Sequence, residues 1–336
     1  MAQYVDAYKN SKGPGDARPT AYKIVEDEGL AGKLTDKVFL VTGVSSGIGI
    51  ETMGAMYATG GHVFGTVRNM AKGQKAVEAV KAKTQGGKIT LLEMDNESLA
   101  SVKKAAEEFL KQSKTLNILI NNAGVMATPE GKTKDGFETQ FGTNHVAHFY
   151  LFQLLKSTLL ASSTPSFPSR VVSVSSFAHR NSRIRFDDYN FQKEPYNEWL
   201  SYGQAKTANI YFANEIERRY GSRGLHATSN HPGGIKSGLQ EHLDGMDEQM
   251  EIPKVKAYMK NTEQGAATSV YAALSKEWKD KGGKYLSDCV EQAAFQHPED
   301  PMFVGDDGYA EWAYDEEAAK RLWKDSLKMV GVEDDQ

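Results

Sequence analysis

The sequence predicts an α/β fold: a doubly wound parallel sheet in a single domain, with an extended C-terminal region. Three observations point there. From Lys37 onward, short continuous apolar runs alternate with segments of helical period, the pattern of strands covered on both faces. The first apolar run ends in a glycine-rich turn that opens a helix, the order of a βαβ unit. No Pro/Gly/Ser-rich linker sets off a second domain.

Residues 1–36 read as an extension. "SKGPGDARP" is broken by Gly and Pro, and "TAYKIVEDEGL" predicts one short helix with Thr20 as its cap. The repeat then begins. "KVFLVT" is the first strand, "GIGIETMGAMYATG" a helix closed by Gly60, and "HVFGTV" the second strand. A Lys/Ala-rich helix over about 71–84 leads to "KITLLEM", the third strand. "SLASVKKAAEEFLKQS" carries apolar residues at 99, 102, 105, 106, 109 and 110, one face of a helix. "LNILIN" follows as strand four, then a long helix over about 138–160, the loop "ASSTPSFPS" and the strand "RVVSVS". A helix over about 199–220 precedes "LHATSN", the sixth strand. Beyond Pro232 the regularity loosens. Residues 238–261 are polar, with spaced Met246, Met250 and Met259; "TEQGAATSVYAAL" reads as a helix and "GGKYLS" as a last short strand. Residues 289–315 are rich in aromatics, and "DEEAAKRLWKDSLKMV" is a terminal amphipathic helix.

Composition narrows the function classes. Hydrophobic residues make up 40% and charged residues 25% of 336, with a net charge of −4 and no long basic block. Nucleic-acid binding, which relies on clustered Lys and Arg, is disfavoured. A single cysteine, Cys289, rules out an internal disulfide and fits a reducing compartment. The N-terminal stretch has no apolar run suited to a signal or anchor, and "GVEDDQ" is no retention or peroxisomal signal. A cytoplasmic protein is the expectation. His145 and His148 stand three apart on a helix, but no carboxylate or cysteine set accompanies them, so a metal site is not expected. Hydrolysis by a Ser/His/Asp set is disfavoured because no Gly-x-Ser-x-Gly elbow occurs.

The turn "TGVSSGIG" brings Gly43, Ser45, Ser46, Gly47, Ile48 and Gly49 to the start of a helix. Glycines there let backbone approach a pyrophosphate, held at the positive helix end. The spacing differs from Gly-x-Gly-x-x-Gly, so the position after strand one carries the reading. At the end of strand two an NAD site usually has an acid on the ribose hydroxyls. Here "GTVRNMAKG" offers Arg68 instead, and a guanidinium suits a 2′-phosphate, favouring NADP(H) over NAD(H). Asp95, after strand three, is placed to approach adenine or to cap the following helix.

Together with "NNAG" (Asn121 to Gly124), Asn144 in "FGTNHVAH", "VVSVSS", "YGQAK" and "HPGGIKS", this turn resembles the short-chain dehydrogenase/reductase family over about 37–237. "VSSFAHR", "SYGQAKTANIYFANE", "EQGAATSVYAAL", "GGKYLSDC" and "AAKRLWKDS" extend the resemblance to its retinol dehydrogenase and WW-domain oxidoreductase-like branch, and "HPGGIKSGLQ" has a filamentous-fungal flavour. The resemblance implies a Rossmann-type sheet. It makes Tyr202 the proton donor in carbonyl reduction and the base in alcohol oxidation. Lys206 would hold the nicotinamide ribose and lower the tyrosine pKa. Ser176, preferred to Ser175, would bond the substrate oxygen, and Asn144 would support a water-linked proton path to Lys206. Asn122, Ala123 and Gly124 would line the cofactor, as would Pro232 and Gly233. Ile235 and Ser237 would meet the carboxamide end; the family usually has Thr at that last position, and Ser keeps the hydroxyl. Homodimers or homotetramers are common in the family. Many retinol dehydrogenases carry an N-terminal membrane anchor, whereas this extension is polar.

Tyr-x-x-x-Lys occurs three times: Tyr8 with Lys12, Tyr189 with Lys193, and Tyr202 with Lys206. A phenol with an ordinary pKa near 10 needs a neighbouring cation to work near neutrality, and a helix sets the two one turn apart. "YNFQK" runs into Glu194-Pro195, which disfavours helix, and reads as a surface pair. "YKNSK" runs into Gly13-Pro14-Gly15 and reads as solvated. Only "YGQAK" stays helical and follows the serine strand. His179 is either a loop hydrogen-bonder or a substrate contact.

The expected function is reduction of a ketone or aldehyde, or the reverse, on a medium-sized apolar molecule such as a secondary metabolite. Substrate contacts are expected from the loop 177–198, from 238–261, and from Phe295, Phe303, Tyr309 and Trp312. The alternatives are an NADP(H)-binding scaffold or sensor with little turnover, and a reductase of C=N bonds.

Overall fold

The computed structural model describes residues 3–240, 248 and 250–334; Met246 lies outside the described residues. Eight strands form one sheet: β1 (Val38–Val41), β2 (His62–Val67), β3 (Lys88–Glu93), β4 (Ile118–Asn121), β5 (Ser169–Val174), β6 (Leu225–Asn230), β7 (Tyr285–Ser287) and β8 (Val290–Glu291). Their order is β3-β2-β1-β4-β5-β6-β7-β8. All neighbours are parallel except β7 and β8. The chain thus reverses its direction of travel across the sheet between β1 and β4. Open α/β sheets bind ligands at that crevice, outside the carboxyl ends of the strands.

Alternate strand residues feed two cores. Leu40, Leu119 and Val171 face one, with α5 (Leu99–Gln112), α7 (Ala147–Ser162), α8 (Glu198–Tyr220) and the terminal α12 (Glu316–Val330). Phe39, Val41, Ile118, Ile120 and Val172 face the other. That second layer contains α3 (Gly47–Ala58), α4 (Met70–Lys83) and α11 (Ala267–Leu274). In the first layer Trp323 of α12 packs edge-on against Phe149, their ring centroids 5.0 Å apart, and stacks over Phe212.

The expected helix over 138–160 has an unexpected centre. A short helical turn, α6 (Thr139–Phe141), passes through a π-turn at Gly142–Val146 before α7 begins. The expected last strand gains a hairpin partner, β8, through Asp288 and Cys289, with φ of 54° and 57°. Two positive φ values in a two-residue turn match the twist of the flanking strands.

The N-terminal extension differs most from expectation. It holds two helices, α1 (Val5–Lys9) and α2 (Ala21–Asp27), the second capped by Thr20 as anticipated. Ala21, Ile24 and Val25 join the second core. Tyr8, read as solvated, packs on that core with its hydroxyl 3.5 Å from Cys289 Sγ. Tyr189, read as a surface residue, stacks on Phe141 and donates to Asp325. Lys12 and Lys193 are exposed. Both tyrosines carry more apolar ring than solvent readily accommodates, and each found a hydrogen-bond partner for its polar tip.

Candidate active site

A cleft of about 900 Å³ opens over the carboxyl ends of the central strands. Its floor begins at the glycine turn. Gly43 and Gly47 take φ of 72° and 58°, a region that favours glycine. A Cβ on Gly43 would stand 2.8 Å from Ala123 Cα, and one on Gly49 would stand 2.1 Å from Gly43 O. The turn therefore folds onto itself and onto the "NNAG" loop. Thr42 ties the two together: its Oγ1 accepts from the amides of Asn122 and Ala123, each at 2.9 Å, while Asn122 Nδ2 donates to Thr42 O at 2.8 Å.

Thr42 Oγ1 also lies 2.9 Å from His148 Nε2. Having accepted two amides, the hydroxyl donates its proton there, so Nε2 is the acceptor nitrogen. His148 Nδ1–H then donates to Asn144 O at 2.9 Å. Burial, the largest influence, pushes the His148 pKa down to about 4, which keeps the ring neutral. Asn144 sits in the π-turn. Its side chain accepts from Val125 N and donates to Val125 O, both at 2.9 Å. Strand β1, strand β4 and the π-turn are thus locked into one unit.

Helix α8 carries Tyr202 and Lys206, the pair expected to react. Asn197 caps it, and Gly203 lets it approach the 178–182 loop, where a Cβ would stand 2.9 Å from Ala178 O. Tyr202 and Lys206 are 3% and 4% exposed and line the cleft, with Lys206 Nζ 5.4 Å from the centre of the Tyr202 ring. Burial raises the Tyr202 pKa, opposed by the neighbouring Ser176 hydroxyl. Burial lowers the Lys206 pKa to about 8. Its Nζ donates to Val174 O at 3.1 Å.

The two serines separate. Ser175 Oγ donates to Lys206 O at 2.7 Å, bracing the helix. Ser176 Oγ accepts from Ala178 N at 3.1 Å, which leaves its own proton free. His179 Nε2 accepts from Ala310 N, so its Nδ1–H donates to Ser176 O at 2.7 Å. That residue is a loop hydrogen-bonder, and it does not line the cleft.

Of the residues expected at the cofactor, Gly43, the run from Ser45 to Gly49, Arg68, Asp95 and the run from Asn122 to Gly124 all line the cleft, as do Pro232, Gly233, Ile235 and Ser237. Helix α3 offers an anion-binding end. Side chains cap α4, α5, α8 and α12, but no hydrogen bond from a described side chain caps α3 at Ser46. Arg68 is 72% exposed and only 3.5 Å from Glu97 Oε1. Asp95 accepts from Glu97 N and pairs with Lys134 at 2.7 Å. Lys72, in the first turn of α4, lines the cleft close to Arg68 in sequence and was not anticipated; its signal was the "RNMAK" spacing. Thr42 and His148 were missed too: the turn that Thr42 opens is read from its glycines, and the spacing of His145 and His148 bears only on metal binding.

The cover differs from expectation in part. Met250, Ile252, Val255, Tyr258 and Met259 line the cleft, with Met302 and Val304. Phe295, Phe303, Tyr309 and Trp312 do not. Phe295 lies under Arg180, 3.8 Å from its guanidinium, Phe303 stacks on His297, Tyr309 packs on Tyr314, and Trp312 lies under Arg183. Rings with a cation or another ring available brace the cover from behind. From the loop 177–198, only Phe177 and Ala178 reach the cleft.

Comparison with known proteins agrees with this geometry. Residues 37–248 match the family model for short chain dehydrogenases. The chain is 48% identical to the short-chain dehydrogenase/reductase prx1 of Penicillium rubens over 332 residues, covering 98% of this chain and 95% of that one. It is 36% identical to retinol dehydrogenase 12 of Mus musculus, covering 90% and 88% of the two chains. A crystal structure of an uncharacterised protein from Mycobacterium paratuberculosis superposes with a TM-score of 0.66 at 30% identity, covering 88% and 94%. Among the described residues no helix is long and apolar enough to cross a membrane. With a cleft that fits a nicotinamide cofactor and a match across most of its length, the chain belongs to the short-chain dehydrogenase family.

Proposed function

We propose that the protein reduces a ketone or aldehyde with NADPH, or oxidises the corresponding alcohol with NADP⁺. One observation carries the reading: a buried phenol, a buried ammonium and a serine with a free proton meet on the floor of the same cleft. NADPH, when bound, supplies the hydride to the carbonyl carbon. Ser176 Oγ–H donates to the carbonyl oxygen, and Tyr202 delivers its proton to that oxygen as the alcohol forms. Lys206, charged below about pH 8, keeps two N–H groups beyond the one given to Val174 O. They hold ribose hydroxyls and favour the phenolate left on Tyr202. Asn144 has a supporting role: its carbonyl oxygen, already bonded to His148, retains a lone pair for a water on the way to Lys206.

The preference for NADPH rests on Arg68 at the end of β2, where no acid stands to claim a ribose hydroxyl, and on Lys72 in the first turn of α4. The apolar cover supports a medium-sized apolar substrate. The names of the relatives, a dehydrogenase/reductase and a retinol dehydrogenase, agree with alcohol/carbonyl chemistry.

The test is NADPH oxidation followed with a panel of ketones and aldehydes, with NADH in parallel. Turnover is expected, faster with NADPH, and Tyr202→Phe should lower kcat roughly 10²- to 10⁴-fold. Binding of NADPH without turnover, or a Tyr202→Phe enzyme with most of its activity, would overturn the reading.

A further inference from the structure

Lys260 and Asp288 form a charged pair that stands behind the cleft and does not line it. The ammonium donates to Asp288 Oδ1 at 2.6 Å and to Pro232 O at 3.1 Å, and the Tyr8 ring lies 5.1 Å from it. The lysine side chain is 1% exposed. Burying an ammonium is expensive, and a buried ion pair seldom adds stability over apolar side chains of the same volume. What such a group does supply is direction, because a charge-assisted hydrogen bond is short and fixes the atoms at both ends. Here one of those atoms is a carbonyl of the cleft wall.

That carbonyl opens the loop 232–235, which has little means of holding itself. Pro232 has no amide hydrogen, and Gly233, at φ 105°, takes a conformation that favours glycine. The loop is clamped from behind instead. A Cβ on Gly233 would stand 2.6 Å from Lys260 Nζ, and one on Gly234 would stand 2.8 Å from Met259 Sδ. Lys260 N donates to Gly234 O at 2.8 Å. The lysine stem therefore runs along the bare backbone of Gly233, and its two ends bond the carbonyls on either side. Asp288 belongs to the turn between β7 and β8, so the hold on the ammonium comes from the sheet.

Sheet order places this loop along the cofactor. Arg68 follows β2, the glycine turn β1, the 122–124 run β4, Ser176 β5 and the loop β6. A dinucleotide with its 2′-phosphate at Arg68 and its pyrophosphate at the glycine turn carries its nicotinamide onward over β4 to β6, beside Ser176 and Tyr202. Pro232, Gly233 and Ile235 line that end of the cleft.

Building on the reading of the cleft as an NADPH site, we infer that Lys260, held by Asp288, is a positioning residue that fixes the 232–235 loop against the nicotinamide half of the cofactor. It touches neither cofactor nor substrate and acts through the carbonyls of Pro232 and Gly234. Without the ammonium, the glycine pair can leave its place, and the nicotinamide loses part of its wall.

The test compares binding of NADPH with binding of 2′,5′-ADP, which keeps the phosphorylated adenosine half and lacks the nicotinamide, on the full chain without turnover. Lys260→Met keeps an unbranched stem and removes the ammonium. The NADPH Kd should rise roughly tenfold, while the 2′,5′-ADP Kd stays within about twofold. Because Lys260→Met leaves Asp288 without its cation, a second variant adds Asp288→Asn, and Asn tolerates the φ of 54° there. This uncharged pair should fold and show the same roughly tenfold loss for NADPH alone. Equal losses for the two ligands would make Lys260 a general support of the fold, and an unchanged NADPH Kd would show the loop held without it; either result overturns the inference. So would recovery of NADPH affinity in the double variant, since the harm would then lie in the unpaired carboxylate. A wild-type chain that does not bind NADPH would sink the cofactor reading and the inference together, before any variant is compared. If NADPH binds but no carbonyl compound is reduced, the catalytic reading falls, and the two affinities still decide the role of Lys260.

Discussion

On the strand side of the cleft, the polar groups that shape the wall are tied to strand ends or to the π-turn. Thr42, Asn122, His148 and Asn144 bond one another within the βα repeat itself. The opposite side, from Met250 to Met259, contains a short helix, α9 (Pro253–Tyr258), and Ile252 is 52% exposed. Its position is set from outside the repeat. Arg18, 3% exposed, donates to Tyr258 O at 2.8 Å and Met259 O at 2.6 Å, and also to Gly13 O and Asp16. Gln264, in α10 (Thr262–Gly265), accepts from Gly15 N and donates to Asp16 Oδ1. One wall is held by the sheet, and the other by a polar N-terminal strap. A loop wall can adapt to a substrate only if something else sets its base, and directional bonds to a guanidinium fork do that better than apolar contact.

The largest test of this division is Lys206→Met, on the sheet-held side. Turnover should fall at least roughly 10³-fold, since both the ribose contact and the cation beside Tyr202 are lost. Folding should gain. Val174 O keeps its bond from Asn209, so no acceptor is orphaned, and a buried charge disappears. The sign follows from the pKa: Lys206 releases its proton near pH 8 when folded and near 10.5 when unfolded. In that window the unfolded chain binds more protons, so wild-type stability rises with pH. Denaturant unfolding at neutral pH should find Lys206→Met more stable by up to about 3 kcal/mol, with a smaller rise between the two pH values. A variant no more stable than wild type would mean that Lys206 is better solvated than its burial implies.

Arg18→Ala should strike the other wall. Breaking a buried, multiply bonded charge costs about 3–5 kcal/mol, and a misplaced wall should raise KM for the carbonyl compound roughly ten- to hundredfold. The NADPH Kd should stay within about twofold. Arg18→Lys should restore only part of the loss, because one ammonium cannot serve all these acceptors. Equal damage to cofactor and substrate binding would show that the walls are not separate.

Thr42→Val should do the reverse, more mildly. It leaves the Ala123 amide without its acceptor, costing about 1–3 kcal/mol, while the Asn122 amide keeps Ile120 O at 3.1 Å. NADPH affinity should drop roughly tenfold, equivalent to about 1.4 kcal/mol, with KM for the carbonyl little changed when NADPH is saturating. Calorimetric titration and steady-state kinetics on the same preparation would check both halves.

The sheet-held wall was largely legible. Strand runs, the glycine turn and "YGQAK" are local patterns, and a parallel sheet brings their ends together whatever else the chain does. Tyr202 and Lys206 could be chosen over two identical spacings because helix continuity is a local property. The π-turn was not legible: Gly142–Val146 has no local signature, and Asn144 is held by Val125 and His148. The strap was hidden for a different reason. Two of the Arg18 acceptors are backbone carbonyls 240 and 241 residues away, and any residue can offer a carbonyl. For the aromatics of 289–315, composition pointed to substrate contact but did not show on which side of the cover each ring would lie. Phe295 found Arg180, and Trp312 found Thr207 and Arg183.

The strap also has a history in each molecule's making. Arg18 and Gly15 leave the ribosome early, but their partners, Tyr258, Met259 and Gln264, are translated some 240 residues later. Until then the guanidinium must remain in water, and the two helices beside it have no α11 to lie against. The nucleotide half of the sheet can assemble strand by strand during synthesis. The wall from Met250 to Met259 takes its place only when Arg18 meets the carbonyls of Tyr258 and Met259, so the two sides of the cleft are completed at different times in the synthesis of one chain.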